Sequence, residues 1–89
     1  MVIMLVQHTV KDYSKWKKEF DSAAEMRASG GEVSVKIYRD ATDANKLTLV
    51  NTWDSMVKAQ KFAQSPELKA AMEKAGVISA PVISFLNEA

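Results

Sequence analysis

A strand-like run over residues 2–10 leads into Asp12 and a helical stretch whose Phe20 lies eight residues after that aspartate; the same phrase recurs over residues 46–53, Asp54 and Phe62. A further strand pattern follows each block, residues 33–39 after the first and 82–86 after the second. A chain of 89 residues that writes strand–helix–strand twice has few folds open to it, because so short a length cannot supply two cores. The duplication predicts an α+β, ferredoxin-like β-α-β-β-α-β sandwich: one domain over residues 1–89, a four-stranded antiparallel sheet, and helices on one face.

Local chemistry supports each element. The first run is apolar on both parities, with Val2, Met4 and Val6 on one and Ile3 and Leu5 on the other, which predicts a central strand. Asp12 or Ser14 can cap the first helix, Tyr13, Trp16, Phe20, Ala23 and Ala24 form its buried stripe, and Gly30 and Gly31 stop it. Val33, Val35 and Ile37 alternate with Ser34, Lys36 and Tyr38, a half-buried strand. A hairpin across the polar turn 41–45 puts Ile37 beside Leu49 and Val35 beside Asn51. Asp54 is expected to cap the next helix, with Met56, Ala59, Phe62 and Ala63 inward. Ser65, Pro66 and Glu67 restart it, and Gly76 closes it after the stripe Leu68, Ala71, Met72, Ala75.

Two right-handed split β-α-β units place the first and third strands side by side at the centre, and that pair is expected to run parallel. The face without helices is expected to carry Val2, Met4, Val6 and Val50, too much apolar surface for a monomer. A homodimer closed through this open sheet face follows.

Composition removes several function classes. The net charge of +1 offers no footprint for nucleic acid or an anionic membrane surface. With no cysteine there are no disulfides, thiol nucleophiles or thiolate metal sites, and one histidine without carboxylates at helical spacing makes no metal site. No apolar run approaches the roughly 20 residues of a membrane span, and the start of the chain reads as strand, so the expected location is the cytoplasm. No nucleophile elbow or phosphate-loop spacing is present, and no cofactor is expected.

Three stretches together resemble one family: Val10-Lys11-Asp12-Tyr13-Ser14-Lys15-Trp16, Thr52-Trp53-Asp54-Ser55, and the run from Phe62 to Ala71. They look like the antibiotic-biosynthesis-monooxygenase-like group of dimeric α+β barrel proteins. That group includes cofactor-free oxygenases of polycyclic phenols, haem-degrading enzymes and isomerases, so the resemblance implies a fold more than a reaction. In the haem-degrading branch the site is a strand Trp, an Asn on the first strand and a His on the second helical region. Trp53 matches the Trp, Gln7 stands at the Asn, and Met72 at the His, a poor replacement for an axial imidazole. In the phenol-oxygenase branch an Asn and a Trp near the end of the third strand hold substrate, and Asn51 and Trp53 resemble that pair.

His8 is the one side chain that titrates near neutral pH unaided, and it is the candidate general base. Parity puts it on the dimer face with Val6 and Met4, away from Asn51 and Trp53. The competing reading is a hydrogen-bonded histidine at a sheet end or dimer seam. The expected substrate-binding set is Gln7, Asn51, Trp53, Met72 and Tyr13, in a cavity floored by Leu47, Leu49 and Trp53 and helped by Ile3, Leu5, Phe20 and Phe62. For Trp53 the favoured reading is an anchor at the strand–helix corner, and for Tyr13 a place in the core. The leading expectation is cofactor-free oxidation of a small aromatic; the alternative is a non-catalytic binding or interaction module whose interior is filled by its own side chains. A cavity of a few hundred cubic ångströms beside Trp53 would favour the first.

Overall fold

A computed structural model describes all residues, 1–89. The elements run β1 (Val2–Thr9), α1 (Tyr13–Ser22), α2 (Ala24–Gly30), β2 (Glu32–Arg39), β3 (Lys46–Trp53), α3 (Met56–Ala63), α4 (Pro66–Ala75) and β4 (Val82–Asn87). They form one four-stranded sheet in the order β2-β3-β1-β4, with every neighbouring pair antiparallel. This is the ferredoxin-like α+β sandwich that the duplicated motif implied. No helix is long and apolar enough to cross a membrane.

The central pair corrects one expectation: β1 and β3 are antiparallel, Val2 opposite Trp53 and Thr9 opposite Lys46. The reason is topological. A right-handed split unit makes β1 and β2 parallel with a gap between them, and the hairpin then returns β3 into that gap with its direction reversed.

Capping follows the side-chain chemistry with one displacement. Asp12 accepts from the Lys15 amide, and Ser65 from the Leu68 amide just before Pro66. Ser55, rather than Asp54, caps α3 by accepting from the Lys58 amide. Asp54 instead pairs through solvent-exposed atoms with Lys58 Nζ at 2.8 Å, an arrangement worth little in water. The first helical region is also interrupted. Ala23 adopts φ −95°, ψ 11° between α1 and α2, and the chain resumes as helix until Gly31, which sits at φ 111°.

Sheet register decides which residues meet the helices. Val6 lies opposite Leu49, Met4 opposite Asn51 and His8 opposite Leu47, so these six share one face. All six are buried beneath the helices. The expectation that Val2, Met4 and Val6 face outward is therefore reversed: both parities of β1 are apolar, and only pairing with β3 discriminates them. The uncovered face carries Leu5 opposite Val50 and Ile3 between Thr52 and Leu86. Val82, Leu86 and Tyr38 are well exposed.

One residue of β2 leaves the expected alternation. Val35 and Ile37 pair with Asn51 and Leu49 as the hairpin predicts, but the register slips between Glu32 and Ser34. This β-bulge expels Val33, which is 54% exposed, and brings Glu32 opposite Trp53 on the helix side.

Candidate functional site

Between the helices and the sheet lies an apolar cavity of about 70 Å³. Met4, Val6 and Leu49 form its sheet wall, and Trp16, Phe20 and Met72 its helical wall. Four polar side chains also line it: His8, Asn51, Arg27 and Glu19.

His8 is positioned by the alternation of β1 and is 4% exposed. Its ring meets Trp16 edge-on, and Trp16 in turn stacks on Phe20 with centroids 4.8 Å apart. Its Nδ1 atom has no hydrogen-bond partner. Burial among these aromatic rings lowers its pKa below the ordinary 6.5, since a charged imidazole is poorly solvated there. At neutral pH the ring is thus uncharged and able to accept a proton.

The polar end distant from His8 is a connected set. Asn51 Nδ2 donates to Glu32 Oε2 at 2.6 Å, and Arg27 Nε donates to Glu32 Oε1 at 3.1 Å. Arg27 also donates through Nη1 to the Phe20 carbonyl, which accepts from the Ala23 amide as well, and its guanidinium lies 3.6 Å from the Phe20 ring centroid. The carboxylate and the guanidinium are each 9% exposed. Asn51 Oδ1 has no partner. Leaving a buried polar atom unpaired costs about 1–3 kcal/mol, a cost relieved by anything that hydrogen-bonds to it.

His8 and Asn51 share a face, which removes the conflict of parities, but they do not form a dyad. Asn51 pairs with Met4, four residues from His8, so the two stand about 13 Å apart along the strand direction at roughly 3.3 Å per residue. They mark the two ends of the cavity.

The other expected site residues divide. Met72 lines the cavity, as do Phe20 and Phe62. Gln7 points to the uncovered sheet face, where it donates to Thr48, and Ile3 and Leu5 go with it. These three are outside the cavity because the register of β1 is opposite to the one expected. Tyr13 packs at the edge of the core with the Arg39 guanidinium 3.9 Å from its ring centroid, and does not line the cavity. Trp53 is fully buried behind it, 4.8 Å from the Phe62 centroid, with Nε1 unpartnered. Arg27 and Glu32 escaped the sequence reading. The bulge that brings Glu32 inward has no marker in the β2 sequence, and Arg27 sits in a short helix with Glu25 as its one other charged residue. No three histidine or carboxylate side chains converge on a common point.

The cavity is smaller than the few hundred cubic ångströms set above as favouring a ligand. An open groove of about 610 Å³ lies just outside it, between the α3–α4 junction and β4. Leu68, Met72 and Ile83 border both spaces and form the wall between them.

Comparison with known proteins places this geometry. Residues 1–74 match the family described as antibiotic biosynthesis monooxygenase. Among solved structures, a Bordetella bronchiseptica protein provisionally named as such a monooxygenase superposes with a TM-score of 0.83 at 14% identity, covering 99% of this chain and 96% of that one. SnoaB, a cofactor-independent oxygenase from Streptomyces nogalater, gives 0.78 at 14% identity, covering 99% and 92%. Rv0793 from Mycobacterium tuberculosis gives 0.71 at 16% identity, covering 99% and 94%. At these identities the structures establish a shared fold. No curated protein matches the sequence.

Proposed function

We propose that this chain, which belongs to the antibiotic biosynthesis monooxygenase family, oxidises a small hydroxylated aromatic with dioxygen and without a cofactor. The observation that carries this reading is that two residues lining one buried apolar cavity, His8 and Asn51, each keep an unpartnered polar atom, Nδ1 and Oδ1. An apolar chamber with a few placed polar atoms is the usual form of a small-molecule site. The cofactor-independent oxygenase among its structural relatives adds weight.

The chemistry asks little of the protein. Neutral His8 takes the proton of a ring hydroxyl, and the resulting phenolate is electron-rich enough to reduce dioxygen. One oxygen atom forms a new bond to the ring carbon para to the hydroxyl, the O–O bond breaks, and the other atom leaves as water. A phenol and one dioxygen thereby become a quinone and one water. Orientation and exclusion of solvent supply the remainder.

Occupation requires the cavity to grow. An apolar cavity of about 150 Å³ takes up a single benzene ring, twice what is free here. Displacing the flexible Met72 side chain would join the cavity to the outer groove and open a route past α4. The small free volume is also what supports the alternative, a non-catalytic module packed by its own residues.

The second copy belongs to the same proposal. Ile3, Leu5, Val50 and Leu86 make a contiguous apolar patch on the sheet face that no helix covers, and a twofold partner would shield it.

Oxygen uptake measured with mono- and bicyclic phenols tests the reaction. The expected result is one dioxygen consumed per quinone formed, with loss of turnover in His8→Ala. Binding without oxygen uptake would favour the non-catalytic module, and no binding at all would overturn the site.

A further inference from the structure

Asn51 has two faces, a donor and an acceptor, and which one meets the cavity decides what the site can recognise. A carboxylate can only accept, so the 2.6 Å bond to Glu32 fixes Nδ2 on the carboxylate and leaves Oδ1 as the unpartnered atom of an amide that lines the cavity. Glu32 is in turn held by Arg27, whose buried Nε donates to the other carboxylate oxygen, Oε1. Neither would be near Asn51 without the bulge that turns Glu32 from the outer to the inner face of β2.

We propose that Glu32 is a specificity-determining, positioning residue: it makes the Asn51 end of the cavity a hydrogen-bond acceptor, so the chain selects aromatics carrying a second donor there, a hydroxyl or an amine, against the ketone or ether of the same shape. The selection arises because an acceptor-only group would face Asn51 Oδ1 with no proton between them, leaving both desolvated. This deepens the proposed oxygenase reading and rests on it for the occupant. The resulting substrate class is a fused-ring aromatic with one hydroxyl for His8 and a further donor at the far end.

Two ligands that differ only at that end make the test: 1,5-dihydroxynaphthalene and 5-methoxy-1-naphthol, titrated against the Trp16 fluorescence of the cavity wall. The wild type is expected to prefer the diol by about tenfold or more, the worth of one good buried hydrogen bond. Asn51→Leu removes the acceptor and should bring the two affinities together. Glu32→Gln, which can donate as well as accept, frees the amide to turn and should reduce the preference to about threefold or less. A readout without ligand is the Asn51 side-chain NH2 pair in an NMR spectrum. One proton should be shifted well downfield in the wild type and return toward its neighbour in Glu32→Gln.

Equal affinity of the wild type for the two ligands overturns this inference while leaving the oxygenase reading intact. Binding of neither overturns the reading of the cavity itself, and the NMR signature then still reports whether Glu32 orients the amide. An Asn51 amide with no hydrogen-bonded proton overturns the orientation outright. If Glu32→Gln fails to fold, Asn51→Leu and the wild-type spectrum carry the test.

Discussion

The His8 ring meets the Trp16 indole edge-on, with centroids 5.9 Å apart and planes inclined at 62°. That contact puts a titratable group inside an aromatic wall, and burial there holds its pKa below the ordinary 6.5. The unfolded chain therefore binds the His8 proton more readily than the folded one as pH falls through 6.5. By linkage this residue leaves stability intact above about pH 6.5 and erodes it below, by at most about 1.4 kcal/mol per pH unit, until the folded protein is protonated as well. Thermal unfolding between pH 7.5 and 5 should show this slope in the wild type and its absence in His8→Gln. Parallel curves for the two proteins would mean that His8 is free to titrate in the fold.

Gly30 ends α2 with its backbone against the core. A Cβ there would lie 2.9 Å from Phe62 Cδ1 and 3.6 Å from Trp53 Cζ3. Alanine is the better helix former by about 1 kcal/mol, but overpacking against the buried Phe62 ring costs about 1–3 kcal/mol. Gly30→Ala should therefore be net destabilising in urea unfolding, with the Trp53 fluorescence altered. A raised urea midpoint would show that the rings give way easily.

The bulge in β2 is testable by contrast between two residues of one strand. Val33 is extruded, whereas Ile37 packs against the core beside Leu49. Val33→Thr should change stability by less than about 0.5 kcal/mol, and Ile37→Thr should cost distinctly more. Similar losses at both would place Val33 inside and Glu32 outside.

Leu5 and Val50 face each other on the uncovered side of the central strands. The wild type is expected to sediment at twice the chain mass of 9.9 kDa, and Leu5→Lys at the chain mass itself. A wild-type monomer at micromolar concentration would remove the twofold assembly.

Gln7 and His8 show where reading the chain runs out. Both lie in a strand whose two parities are almost equally apolar, and nothing local says which parity meets the helices. The register with β3 places His8 inside and Gln7 outside. Glu32 is a sharper case. Its neighbours alternate cleanly as Val33, Val35 and Ile37, a pattern that predicts Val33 inward, and a single extra residue in the ladder reverses the outcome at that end. Asn51 and Met72 were legible because a hairpin and a helical stripe set their facing from short-range spacing alone.

The order of elements, the caps at Asp12 and Ser65, the stops at Gly31 and Gly76 and the pairing of Ile37 with Leu49 were all contained in the sequence, because each depends on residues close together along the chain. The facing of β1, the inward turn of Glu32 and the meeting of Arg27, Glu32 and Asn51 were settled only by the assembled sheet. A strand carries a period of two but no origin for it, and the origin comes from the partner strand, some 40 residues away.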